Sequence, residues 1–109
     1  MSMQSIFENV TKSKRMKDQL RLLRDCVLNE IPAMVFQGGD SCAVEVLESA
    51  IEIYRRHGCD VEFLFDFQQM INDFKAYQKM NPHKVKLAKM TPTEMELTRE
   101  EMQKNGITK

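Results

Sequence analysis

Cys42, His57 and Cys59 are the side chains of this chain best equipped for nucleophilic or metal chemistry. Cys42 falls in the first turn of a helix expected to start at Asp40 or Ser41, where the helix dipole favours a thiolate. A thiolate nucleophile also needs a base. His57 lies at the far end of the same helix, about 22 Å away at a rise of 1.5 Å per residue, so the two cannot act together. Cys42 therefore reads as a small buried residue. His57-Gly58-Cys59 places two metal-ligand types two residues apart, but a structural zinc takes four ligands. Cys26, Cys42 and His83 stand in separate elements, and His57 reads as a cation placed at a helix C-terminus. The turn Gln37-Gly38-Gly39-Asp40-Ser41, between an extended segment and a helix start, has the backbone layout of an anion cradle. It lacks the Lys-Ser/Thr pair of a phosphate loop, and Asp40 repels a phosphate. It reads as a tight turn with an N-cap. No catalytic, cofactor-binding or metal-binding residue is assigned, and the expectation is a protein that is not an enzyme.

The charged residues carry more information. Residues 12–24 hold Lys12, Lys14, Arg15, Lys17, Arg21 and Arg24 against Asp18 alone. Residues 31–74 hold eight acids against Arg55 and Arg56, and residues 75–90 hold five lysines and no acid. The order is basic, acidic, basic within a chain of zero net charge. Glu45, Glu48 and Glu52 share one helix face and form an acidic ridge suited to a basic protein surface, unless the protein's own lysines satisfy it. Lys12, Lys14, Arg15, Lys17 and Arg21, with Lys84, Lys86 and Lys89, are the candidate nucleic-acid contacts. The plainer reading has both basic flanks solvated or folded against the acidic middle.

These groups need a scaffold, and 109 residues suffice for one domain with its own core. The odd cysteine count, widely spaced, points to reduced thiols and a cytoplasmic setting. No run of 18 apolar residues and no basic-then-apolar N-terminus occurs, so neither a membrane span nor a signal peptide is expected.

The first helix is expected from about Ile6 to Asn29, opened by a Ser5–Glu8 capping box. Met16, Leu20, Leu23 and Val27 form one apolar stripe, which thins at residues 11–14, and Pro32 ends the element. Residues 33–37 read as extended, and Gly38-Gly39 permits positive φ. The second helix runs to Arg56 or His57 with Gly58 as its C-terminal cap. It is apolar around most of its circumference, which predicts a central position. The third runs from a cap at Asp60 to about Lys79. Its residues Phe63, Phe67, Met70, Ile71, Phe74 and Tyr77 give the strongest periodic signal in the chain. Residues 82–90 alternate apolar and basic, as a linker or a lysine-guarded edge strand does. Thr91-Pro92-Thr93-Glu94 then opens a fourth helix to about Lys104, closed by Asn105-Gly106.

The expected fold is mainly α: a small bundle of three principal helices plus a C-terminal helix, with a short extended segment at residues 33–37. Residues 1–90 form the helical domain and residues 91–109 a more peripheral helix. A minor two-stranded sheet forms if Val85 and Leu87 pair with Met34 and Phe36. Nine methionines, five of them between Met70 and Met102, suit an adaptable binding surface or a gap-filling core.

The block from Pro32 to Lys86 resembles a group of small uncharacterised proteins of bacteriophages and mobile elements. The matching positions are Pro32, Val35-Phe36, Asp40, Ala43, Leu47, Tyr54, Phe63, Phe74 and Lys84/Lys86. The chain departs from that group at Leu87-Ala88, where the group often has Pro-Asp. The resemblance implies a mobile-element setting and transfers no functional residue. The expected function is that of a non-enzymatic interaction protein with a protein or nucleoprotein partner, an inhibitor of a bacterial defence system being one concrete form. The alternative is a nucleic-acid-binding protein using the basic runs 12–24 and 75–90.

Overall fold

The computed structural model describes residues 13–107. Helix α1 spans Lys14–Leu28. It starts where the apolar stripe thins, and the Ser13 hydroxyl accepts the Met16 N–H at 3.3 Å as its cap. The Ser5–Glu8 box and the expected start at Ile6 lie outside the described residues. Helix α2 spans Ala43–Arg56, α3 Val61–Met80 and α4 Pro92–Lys104, with a 3-10 turn at Pro82–Lys84 between the last two. The protein is mainly helical, and no strand forms among the described residues.

Three of the helices stop in the same way. After α2, Gly58 adopts φ 75°, and the N–H groups of Gly58 and Cys59 donate to the carbonyls of Arg55 and Tyr54 at 3.1 and 3.2 Å. After α4, Gly106 adopts φ 74°, and Ile107 N–H donates to Met102 at 2.8 Å. These are Schellman stops, which satisfy carbonyls the helix leaves open. The stop of α1 has the same bonds, with Ile31 N–H donating to Cys26 at 2.8 Å. Its left-handed residue is Glu30, at φ 56°.

Helices α2 and α3 form the structural centre. The four residues between them turn the chain back, and among the described residues this hairpin is the pair of α-helices with an extended interface. Near the turn, Tyr54 packs edge-on to Phe63 with ring centroids 5.1 Å apart and lies 5.6 Å from Phe67. Further along, Ala43, Ile51 and Ile71 are the three buried residues among those described. The second helix takes the central position its apolar circumference predicts but is not buried all round: Val46, Ile53 and Tyr54 remain 43%, 46% and 41% exposed. An apolar helix is buried only on the sides where other elements lie, and α3 covers one side. Helix α1 is tied to the hairpin by Arg15, which reaches Asp73 at 3.3 Å and Asp66 at 3.8 Å.

The two-stranded sheet is likewise corrected. Val85 and Leu87 do not pair with Met34 and Phe36; a single parallel bridge joins Asp40 to Lys86. Lys86 N–H donates to Gly39 at 2.8 Å and Ser41 N–H to Lys86 at 2.9 Å. Pairing falls here because Gly39 can approach the 3-10 turn: a Cβ on it would stand 2.9 Å from the Lys84 carbonyl oxygen. Close approach, and not the expected positive φ, is what the Gly38-Gly39 pair provides.

Candidate functional site

The strand-like junction at residues 37–43 is built as a connector. The Asp40 carboxylate accepts the Cys42 N–H at 2.9 Å, an Asx-type turn that leads into α2. Gln78, on α3, donates from one amide nitrogen to the carbonyls of Gly38 and Asp40 at 3.1 and 3.0 Å. The turn is thereby fixed to the hairpin on one side and to the Lys84–Lys86 segment on the other. Cys42 itself is exposed, contrary to its reading as a buried residue, because it precedes the first residue of α2 that packs inward. Asp60 stands at the N-cap of α3 without a side-chain cap bond.

Cys26, Cys42 and Cys59 are all free thiols. Among the described residues, no three His, Cys, Asp or Glu side chains gather closely enough to hold a metal ion.

The acidic ridge is partly neutralised from within. Glu48 accepts from Lys75 at 2.9 Å, a contact that also crosses from α2 to α3, and Glu52 pairs with Arg55. Glu45 takes no ion pair among the described residues and remains the open end of the ridge.

The basic run on α1 is also spent in large part on the protein's own acids. Lys14 and Arg21 converge on Asp18 at 2.6 and 3.3 Å, and Arg24 meets Asp25 at 3.3 Å. The hydrogen bond to Asp18 holds the Lys14 ammonium above its ordinary pKa, and the same bond holds the Asp18 carboxyl below its own. Arg15 is engaged by Asp66 and Asp73. Lys17 is exempt from ion pairing among the described residues, as are the exposed Lys84, Lys86 and Lys89. Lys12 lies outside the described residues.

One concavity among the described residues lies where the charge pattern leaves no mark. A groove of about 430 Å³ lies along α4, lined by Met90, Met95, Met102, Ile107, Thr98 and Arg99. The Thr91–Glu94 capping box positions it: Glu94 N–H donates to the Thr91 hydroxyl at 3.2 Å and Thr91 N–H to the Glu94 carboxylate at 2.9 Å. At the other end, the Schellman stop brings Ile107 back beside Met102, the apolar contact that usually accompanies such a stop. The Thr98 hydroxyl donates to the Glu94 carbonyl at 2.8 Å and lies 3.7 Å from the Met90 sulfur. In the sequence, the i, i+7 spacing of Met95 and Met102 is the signal for this surface; the return of Ile107 depends on the left-handed turn at Gly106.

No described helix is long and apolar enough to cross a membrane. Comparison with protein-family models, with curated proteins and with solved structures finds no match.

Proposed function

We propose that this chain is a non-enzymatic interaction protein that binds a protein or nucleoprotein partner through apolar surface its own fold leaves open. One observation carries the reading. Beside three buried residues, large apolar side chains stand in water along every helix, among them Leu28 at 73%, Phe65 at 65% and Met80 at 79% exposed. Contiguous exposed apolar surface marks docking sites, and Met90, Met95, Met102 and Ile107 line one groove together. The methionine-lined groove on α4 suits a partner because thioethers repack against varied apolar surfaces. The setting we propose is a phage or mobile element, with the partner belonging to the cell or to the element itself.

The test is capture with a matched control. The intact chain, immobilised, is offered a lysate of its source cell beside the double variant Met95→Asp/Met102→Asp. A partner held in stoichiometric amount by the intact chain and lost by the variant supports the reading. Retention that ignores the substitutions, or no retention, overturns the groove as the site.

A second reading rests on Lys84, Lys86 and Lys89, which are exposed and without an ion pair among the described residues, close to the Asp40–Lys86 bridge. Three such cations in six residues suit a phosphate backbone. The band shift they predict with duplex or single-stranded nucleic acid falls steeply with salt; the absence of a shift at low salt rejects it.

A further inference from the structure

We infer that helix α1 is a releasable arm, clasped to the α2–α3 hairpin by the ion pairs of Arg15 and freed when those pairs are screened. The arm does not use the groove on α4, so it stands or falls independently of the proposed partner.

The first observation is how little of α1 the fold encloses. None of its residues is buried, and among the described residues it shares no extended interface with another helix. Leu20, Leu23 and Cys26 are half-buried, so α1 rests on the fold by one partly wet side. A helix of 15 residues that loses its docking is marginal in water.

The second observation is the tether. Residues 31–37 are all exposed, and residues 32–36 make no hydrogen bond among the described residues. The chain enters this stretch through Glu30, whose left-handed φ of 56° is strained for a residue with a Cβ. Seven extended residues span about 23–25 Å, and α1 itself is about 22 Å long at 1.5 Å per residue. The arm can therefore leave its place with the hairpin intact.

The third observation is the clasp. Among the described residues, every ion pair that leaves α1 belongs to Arg15. Its guanidinium reaches Asp73 at 3.3 Å and Asp66 at 3.8 Å. These acids stand seven residues apart on α3 and share one face, and a planar fork of donors can serve both. Arg15 is also the most covered cation of any ion pair among the described residues, at 30% exposed. Behind the hydrogen bond from Asp18, Asp66 adds to the rise of the Lys14 pKa, so the acids of α3 draw the whole start of α1. Both carboxylates are about half exposed, which lets salt reach the clasp. Release uncovers Asp66 and Asp73 on α3 and the Leu20–Leu23 side of α1.

Amide hydrogen exchange of the full chain tests the arm. Between about 50 mM and about 1 M sodium chloride, amides 18–28 lose protection by about fivefold or more, while those of α2 and α3 keep theirs. Arg15→Glu gives that loss already at low salt. An acid in the first turn favours an isolated helix, so the loss reports undocking and not a weaker α1. Adding Asp73→Arg restores the protection, because the pair attracts again with its signs exchanged. Salt also weakens the Lys14–Asp18 pair inside α1, which the exchange of Arg15 and Asp73 leaves in place. Protection of α1 indifferent to salt and to Arg15→Glu overturns the arm, as does a loss that the charge exchange fails to restore. Loss of protection in α2 and α3 together with α1 overturns it too, because α1 then opens only with the whole fold. None of these results touches the capture experiment with the α4 groove.

Discussion

The Cβ that Gly39 lacks would stand 2.9 Å from the carbonyl oxygen of Lys84. Two segments distant in sequence meet there backbone to backbone, and no side chain at residue 39 permits that approach. Gly39→Ala must push the Lys84–Lys86 segment away and strain the bridge at Asp40. The expected loss is about 1–3 kcal/mol, read as a lower denaturant midpoint with unchanged slope. Gly38→Ala meets the Tyr77 ring carbon at 3.1 Å, and a side chain yields more easily than backbone, so its loss is the smaller. Equal and negligible effects at both positions contradict this account.

Gln78 holds the other side of the same turn. Replacing it with Leu keeps much of its bulk and leaves the Gly38 and Asp40 carbonyls without their donor. A partly buried acceptor stripped of its partner costs about 1–2 kcal/mol. Chemical denaturation measures that loss, and amide exchange should quicken at Ser41 and Lys86, whose N–H groups form or flank the bridge.

Glu30 offers a gain. It occupies the left-handed position that Gly58 and Gly106 fill after the other two Schellman stops. Relief of that strain by Glu30→Gly exceeds the entropy cost glycine brings to the unfolded chain, for a net stabilisation of about 0.5–1 kcal/mol. A lower thermal midpoint for the variant contradicts the assignment.

The capping box of α4 should respond to acid. The Thr91 backbone N–H, and after it the Thr91 hydroxyl, hold the Glu94 carboxyl below its ordinary value of 4.5. A carboxyl whose pKa is depressed by folding contributes stability that is complete above its unfolded pKa and is lost as pH falls through the folded one. Residues 92–104 should therefore fray as pH drops below 4.5, seen by NMR as loss of helical shifts. Glu94→Gln, which keeps a hydrogen-bonding side chain without the charge, should remove that pH response. Lys14 runs the other way: its raised pKa gives stability present below 10.5 and lost as pH climbs through the folded value.

Most helix limits were legible in the residues. Asp60, the Thr91–Glu94 box and the glycines at 58 and 106 each act on backbone within a few positions, and the end of α2, the start of α3 and both ends of α4 fall within about three residues of them. The exposed state of Cys42 was not legible, and while satisfaction of the ridge by the protein's own lysines was one of the outcomes the residues left open, the choice of Lys75 for Glu48 was not. Both depend on which surface another element brings near, and α2's apolar circumference gives no sign that only one neighbour arrives. The groove on α4 was half visible: Met95 and Met102 announce a stripe, but Ile107 joins it by a turn of the chain.

By itself, then, the sequence determined where helices start and stop, because caps and left-handed turns are hydrogen-bond chemistry among near neighbours. Tertiary structure alone decided the pairings at long range. Arg15 finds Asp73 across 58 residues, the bridge falls at Asp40 and Lys86 instead of at Met34 and Phe36, and apolar faces predicted to meet stay in water. Burial and ion pairing depend on the third dimension because each needs a partner surface, and a stripe of side chains specifies that a surface is wanted without specifying which one comes.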